Sequence, residues 1–446
     1  MPAARPLSPP ERARPRPPEP VHAPGIPLAS SAEARDGVRA MALLGVVVFI
    51  VALGYGAGLP LVQPYLARYL GPDAPQRLAW HVGMLGGVYT FALFVFAPTW
   101  GRWSDRHGRA MVLMAGFAAF LVGSAASALA PNLGTVYAAR LLAGAGAAAI
   151  MPTAQAYIAD VSTPVDRSRR FVLLGGASFL GFLAGPVFGA WLAGPVMGMS
   201  VGQMPSMLSW PALLIAAAGI PILLLTPAGL ARSGSAAAAA SAAETTVQRR
   251  RFVLASMVLA ALASFAVGTF EVGFTLFGAQ TLGLSGSALA VMFVTCSVAM
   301  LGAQSMLLLP AVRRRIDQRW VAATFAVSAL ALSFTAVVAG AGALVSLIAV
   351  VGSGIGLIGP VLSYELLERD RSEPGALLGR QAAAGNLGQA LGSFSAGSLF
   401  ALHSVAPFGL AALMLLLGAG AAFALWGAAR DDEIVQFAAS ERDHDG

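Results

Sequence analysis

The sequence predicts an all-α membrane protein: twelve transmembrane helices in two pseudo-symmetric six-helix bundles. Three observations predict it. The 446 residues are 57% hydrophobic and only 11% charged, with a mean hydropathy of +0.73, whereas soluble chains are about 45–50% apolar and about 25% charged. From Met41 the chain falls into twelve apolar stretches, each long enough to cross the roughly 30 Å of hydrocarbon in a bilayer. Finally, 25 of the 28 basic residues lie in the tails or in every second loop, the asymmetry that orients membrane proteins with their basic loops in the cytoplasm.

Residues 1–38 are rich in Pro and Arg, aperiodic and polar, without the apolar core and cleavage site of a secretory signal. They read as a disordered cytoplasmic tail. The N-terminal bundle, 39–230, holds spans at 40–62, 80–101, 110–130, 133–155, 170–193 and 209–230. An Ala/Ser run ending in Arg249-Arg250-Arg251 makes 231–251 a flexible cytoplasmic linker. The C-terminal bundle, 252–429, holds spans at 252–279, 286–309, 319–340, 342–364, 379–401 and 406–428, the third and fourth parted by the Gly340–Gly342 turn signal. A second cytoplasmic tail covers 430–446. The halves repeat: Gly144-x-Gly146-x5-Pro152 recurs 208 residues later as Gly352-x-Gly354-x5-Pro360. The same shift carries Asp160 to Glu368, Gly189 to Gly397, and the Asp105–Arg109 loop onto Arg313–Asp317. A duplicated six-plus-six hydropathy is the signature of a transporter.

Composition also excludes whole classes. Every basic residue is Arg, so the chain has no P-loop lysine and no Schiff-base lysine. The single cysteine, Cys296, forms no intrachain disulfide, and His22, His81, His107, His403 and His444 are scattered without metal-ligand spacing. No metal site, cofactor or enzyme activity is expected. The net charge of +7 sits in topogenic loops and implies no nucleic acid.

The segment Gly101-Arg102-Trp103-Ser104-Asp105-Arg106-His107-Gly108-Arg109 resembles G-x-x-x-D-R-x-G-R, the loop 2–3 signature of the major facilitator superfamily. Further stretches follow in the order of that family. Arg140-x-x-x-Gly144-x-Gly146 resembles its fourth-span motif, and Ala156–Asp160 with Arg167 is similar to its loop 4–5 segment. Gly181-x-x-x-Gly185-Pro186-x-x-Gly189 resembles its antiporter-type fifth-span signature, with Ala190 where a second glycine is usual. Over 101–192 the likeness is to the twelve-span drug:proton antiporters, with tetracycline exporters nearest in kind. The tetracycline-type pattern has carboxylates in the first and third spans, and here 40–62 and 110–130 have none. The resemblance implies a monomeric, proton-coupled secondary transporter. It would export amphipathic, including cationic, small molecules from a bacterial cytoplasmic membrane, with both termini inside. An importer of a metabolite, or a non-transporting receptor or enzyme of the same fold, are the other readings.

Candidate residues divide by task. Gly101, Asp105, Arg106, Gly108 and Arg109, with Asp160 and Arg167, form a gate: glycines permit a tight turn and an Asp among arginines can grip or release a neighbouring helix end. Ionisable groups within spans are costly and need a reason. Arg140 reads as a cavity cation that helps couple protons, or as a snorkelling structural residue. Glu271, the one acid within a span, reads as a proton carrier near the outer third of its helix, or as an interface glutamate. Spans one, four, seven and ten line the cavity in this family, which suggests an Arg140–Glu271 couple. Tyr55, Gln63, Tyr89, Phe274, Phe277, Asn386 and Gln389 are candidate substrate contacts in a wide cavity with few polar groups. His81 is a further candidate for the proton route.

Overall fold

Apolar stretches of hydrocarbon length satisfy their backbone groups in lipid by coiling into helices, and in this chain they do so throughout. The computed structural model describes residues 31–71, 75–162, 164–193, 210–229, 247–307, 309–313, 316–335, 341–369 and 374–426. The N-terminal half contains α1 (Ser31–Gly58), α2 (Pro75–His107), α3 (Arg109–Ala128), α4 (Leu133–Val161), α5 (Pro164–Ala193) and α6 (Trp210–Gly229). The C-terminal half contains α7 (Val247–Leu276), α8 (Gly286–Met306), α9 (Gln318–Phe334), α10 (Ala341–Arg369), α11 (Pro374–Leu402) and α12 (Ala406–Ala421). Among the described residues nine helices are long and apolar enough to span a membrane, and Pro211–Leu225 and Arg319–Phe334 are shorter apolar helices. The remaining helix, α11, is 29 residues long and carries Arg380, Gln381, Asn386 and Gln389.

Two expected boundaries move. Residues 31–38 of the expected tail are helical, and 247–251 of the expected linker form the start of α7. Both contain good helix formers, Ala, Glu and Arg in one and Gln and Arg in the other, so the helix runs past the apolar stretch. Residues 1–30, 231–246 and the 430–446 tail lie outside the described residues.

The repeat is visible in the helices themselves. A shift of 208 residues carries both ends of α4 onto both ends of α10, with Pro152 and Pro360 inside them. Within the halves α1 packs on α5 as α7 packs on α11, and between the halves α2 meets α11 as α5 meets α8. These pairs exchange under the same pseudo-twofold relation.

The halves approach most closely away from the 101–109 turn. A Cβ on Gly83 of α2 would lie 2.6 Å from the Ser393 carbonyl oxygen and 2.8 Å from the Gly397 Cα of α11. That is backbone against backbone, a crossing only glycine allows. Close by, α1 breaks at Pro60 into a 3-10 turn, Leu59–Leu61, and continues as the helix Val62–Leu70. Tyr65 donates a hydrogen bond to the Ser127 carbonyl, and Tyr69 donates to the Ala130 carbonyl at 2.9 Å, which fixes this helix over the end of α3. Facing it, α7 widens into a π-turn, Phe277–Thr281.

Candidate functional site

Glu271 is the centre of the interface between the halves. Its side chain is 8% exposed, and its Oε2 accepts hydrogen bonds from Tyr55 Oη at 2.7 Å and Gln389 Nε2 at 3.1 Å. Gln389 Nε2 also lies 3.2 Å from Tyr55 Oη. The carboxylate of the C-terminal half is thus held by one donor from each half. Both donors are neutral, so the carboxyl can hold or release a proton without breaking an ion pair. Gln389 is near the middle of α11. Glu271 lies in the last third of α7, which runs from Val247 to Leu276.

Tyr55 stacks on Tyr89, ring centroids 5.2 Å apart, and on Phe182 at 6.1 Å. The Arg140 guanidinium stands 5.8 Å from the Tyr89 ring centroid. One pocket is lined by Tyr55, Tyr89, Arg140, Glu271, Thr275 and Ser393. A second, inside the N-terminal half, shares Tyr55, Tyr89 and Arg140 and continues past Tyr65, Phe120 and Ile215. Arg140 and Glu271 thus share a pocket wall, but they form no ion pair among the described residues. Tyr55 and Gln389 take the carboxylate oxygen first.

Other expected contacts lie elsewhere. Phe274 and Phe277 pack inside the C-terminal half and are absent from both pocket linings: Phe274 stacks on Phe270 and meets Phe293 edge-on, and Phe277 meets Phe408 edge-on. Gln63 is 5% exposed and donates to the Thr275 carbonyl at 2.5 Å, while Gln280 donates to its Oε1 at 3.3 Å. It clasps α1 to α7 at the closed end rather than lining either pocket. Asn386 is half-buried on α11, less than a turn from Gln389. His81 Nδ1 lies 2.8 Å from Tyr137 Oη, near the start of α2. Thr275, Gln280, Ser393 and the Gly83–Gly397 crossing escape the sequence reading. Of these only Gly397 left a trace, as the repeat partner of Gly189.

At the other end, Arg109 gathers the motif loop. It reaches Asp105 Oδ1 at 2.5 Å, Ser104 Oγ at 3.0 Å and Asp160 Oδ2 at 3.0 Å, so the start of α3 is tied to the ends of α2 and α4. Gly108, with φ +90°, supplies the left-handed turn that makes this geometry accessible. Arg167 donates to the Ala159 carbonyl at 2.9 Å. Arg106 is exposed, and a Cβ on Gly101 would meet nothing within 4 Å. All the partners of Arg109 belong to the N-terminal half. In this conformation the cluster braces one half and does not bridge the two.

The fifth-span glycines have a packing role. A Cβ on Gly185 would lie 2.7 Å from the Ala57 nitrogen, and the Pro186 ring borders Gly56. Gly181, Gly185 and Gly189, four residues apart on one face of α5, bring its backbone against α1 just before the Pro60 break.

A profile of the Major Facilitator Superfamily matches residues 44–369. Multidrug resistance protein 2 of Bacillus subtilis (strain 168) is 22% identical over 377 residues, 84% of this chain and 92% of its own length. Tetracycline resistance protein, class C, of Escherichia coli is 36% identical over 145 residues, a match that spans 32% of this chain and 35% of the relative. Among solved structures, a bacterial homologue of the human lysosomal transporter Spinster, inward-facing and unoccupied, superposes with a TM-score of 0.69 at 14% identity, over 89% of this chain and 98% of the other. At that identity the likeness is one of fold.

Proposed function

The chain belongs to the Major Facilitator Superfamily, and on that premise we propose that it exports amphipathic small molecules by proton antiport and alternating access. The observation that carries this reading is the Glu271 carboxyl, which receives hydrogen bonds from Tyr55 of one half and Gln389 of the other. A group in that position changes its surroundings whenever the halves rock, which is what coupling protonation to alternating access requires. The multidrug and tetracycline resistance names of the relatives favour outward drug transport.

With both termini cytoplasmic, as the arginine distribution favours, the Gly83–Gly397 crossing and the Gln63 clasp seal the outer end. This conformation is then open to the cytoplasm. The Arg109 cluster is the gate of the cytoplasmic end, free of the second half in this state. Asp105 is 65% exposed, so its ion pair contributes only about 0.2–1 kcal/mol to folding. Asp105→Asn should therefore leave expression and substrate affinity intact. Turnover should fall by roughly fivefold or more if its contacts bias the state balance by about 1–3 kcal/mol. Counterflow in proteoliposomes measures this, and normal turnover removes Asp105 from the gate.

The reading as a whole is tested in membrane vesicles with a panel of amphipathic dyes and drugs. Inside-out vesicles containing the protein should accumulate panel members when energised and lose them on addition of a protonophore. Accumulation only in right-side-out vesicles would make the protein an importer and reverse the proposal.

A further inference from the structure

We propose that the transported molecule carries an acidic group and that Arg140, which lines both pockets, receives it; this rests on the transport reading above. Arg140 is the one arginine that lines either pocket. Its guanidinium faces the Tyr89 ring, and a Cβ on Gly58 would come to 3.7 Å from its Nη2. Among the described residues no carboxylate pairs with it and no acceptor takes a hydrogen bond from it.

That isolation is unlike the arginines at the loop end. Arg109 has three partners, and Arg167 and Arg170 donate to the Ala159 carbonyl and to Ser162 Oγ. It is also not relieved by the surrounding groups. Glu271 offers its Oε2 to Tyr55 and Gln389. Tyr65 and Ser124 turn their hydroxyls onto the Ser127 and Phe120 carbonyls. No Asp or Glu lines the pocket of the N-terminal half.

A half-buried guanidinium that lines both pockets, with five donors and no carboxylate paired to it among the described residues, is placed to take an anion. Its planar fork matches a carboxylate, sulfonate or phosphate oxygen pair. Beyond Arg140 the pocket is walled by Phe120, Ala143, Pro211 and Ile215, which suits an aromatic or aliphatic body. The cargo assigned is therefore an amphipathic acid, in place of the cationic compounds that the sequence suggested.

The test is binding of a matched series to the purified full-length protein: tritiated 1-naphthaleneacetate, competed by 1-naphthaleneacetamide and by (1-naphthylmethyl)trimethylammonium. Wild-type protein should bind the acid at least about tenfold more tightly than the amide. Arg140→Gln should erase that gap, the acid losing its advantage over the amide within the variant. The wild-type series stands alone should the variant fold poorly. Equal binding of acid and amide, preference for the ammonium compound, or an acid preference that survives in Arg140→Gln would each overturn the assignment. Protonophore-sensitive accumulation of other compounds in inside-out vesicles would then leave the export reading standing. Tight acid binding with no accumulation in vesicles would instead refute export and keep the acid site.

Discussion

Replacing Glu271 with Gln is expected to abolish accumulation driven by a pH gradient while substrate counterflow survives. The two side chains have the same shape, and the amide oxygen of Gln can still accept from Tyr55 and from Gln389, as Oε2 does at 2.7 and 3.1 Å. The structural loss is thus held to about one neutral hydrogen bond, roughly 0.5–1.5 kcal/mol. What disappears completely is the ability to gain and lose a proton. In proteoliposomes the variant should show gradient-driven transport at background and counterflow within about tenfold of wild type. The contrast between the two assays is the diagnostic. A fold defect would lower both, and undiminished antiport would take the proton from Glu271 and with it the coupling site.

Much of this site is legible in the sequence, for one physical reason. Polar groups are rare within apolar spans and costly there, so Glu271, Arg140, Tyr55 and Gln389 stand out without any structure. The loop Asp105–Arg109 is legible too, as an Asp among arginines between glycines, and the structure joins Arg109 to Asp105 across the Gly108 turn and adds Asp160 and Ser104. The errors share a cause as well. Phe274 and Phe277, candidate cavity residues by sequence, pack inside the C-terminal bundle. A helix apolar on every side carries no periodic signal to separate its lipid, bundle and cavity faces, so α7 could not be rotated correctly from its residues alone. Gln63 lies past the 3-10 turn at Leu59–Leu61, where it bonds the Thr275 carbonyl and Gln280 instead of lining either pocket.

The remaining prediction concerns the seal opposite the motif loop. Gly83→Val should push the protein towards the state open at that end, and Gly397→Val should do the same. A Cβ on Gly83 has the Ser393 carbonyl at 2.6 Å and the Gly397 Cα at 2.8 Å, and one on Gly397 has the Gly83 Cα at 2.9 Å. Backbone cannot swing aside as the tip of a side chain can, so the strain must go into separating α2 from α11. Overpacking of this kind costs about 1–3 kcal/mol. Under the alternating access proposed above the halves have an arrangement in which the helices part, so the cost falls on the closed state and not on folding. An energy of about 1–3 kcal/mol shifts such a balance roughly 5–150-fold. The readout is modification of Thr275→Cys in a Cys296→Ser background by a membrane-impermeant maleimide. Thr275 is 2% exposed beneath the Gln63 clasp, and its carbonyl, which Gln63 uses, survives the change. Labelling from the Gly83 side of the membrane should accelerate at least about fivefold. Gly175→Val is the control, since a Cβ there meets nothing within 4 Å, and it should leave the rate unchanged. If Gly83→Val protein folds and labels no faster than the control, the crossing is an ordinary helix contact and the seal must reside in the clasp between α1 and α7.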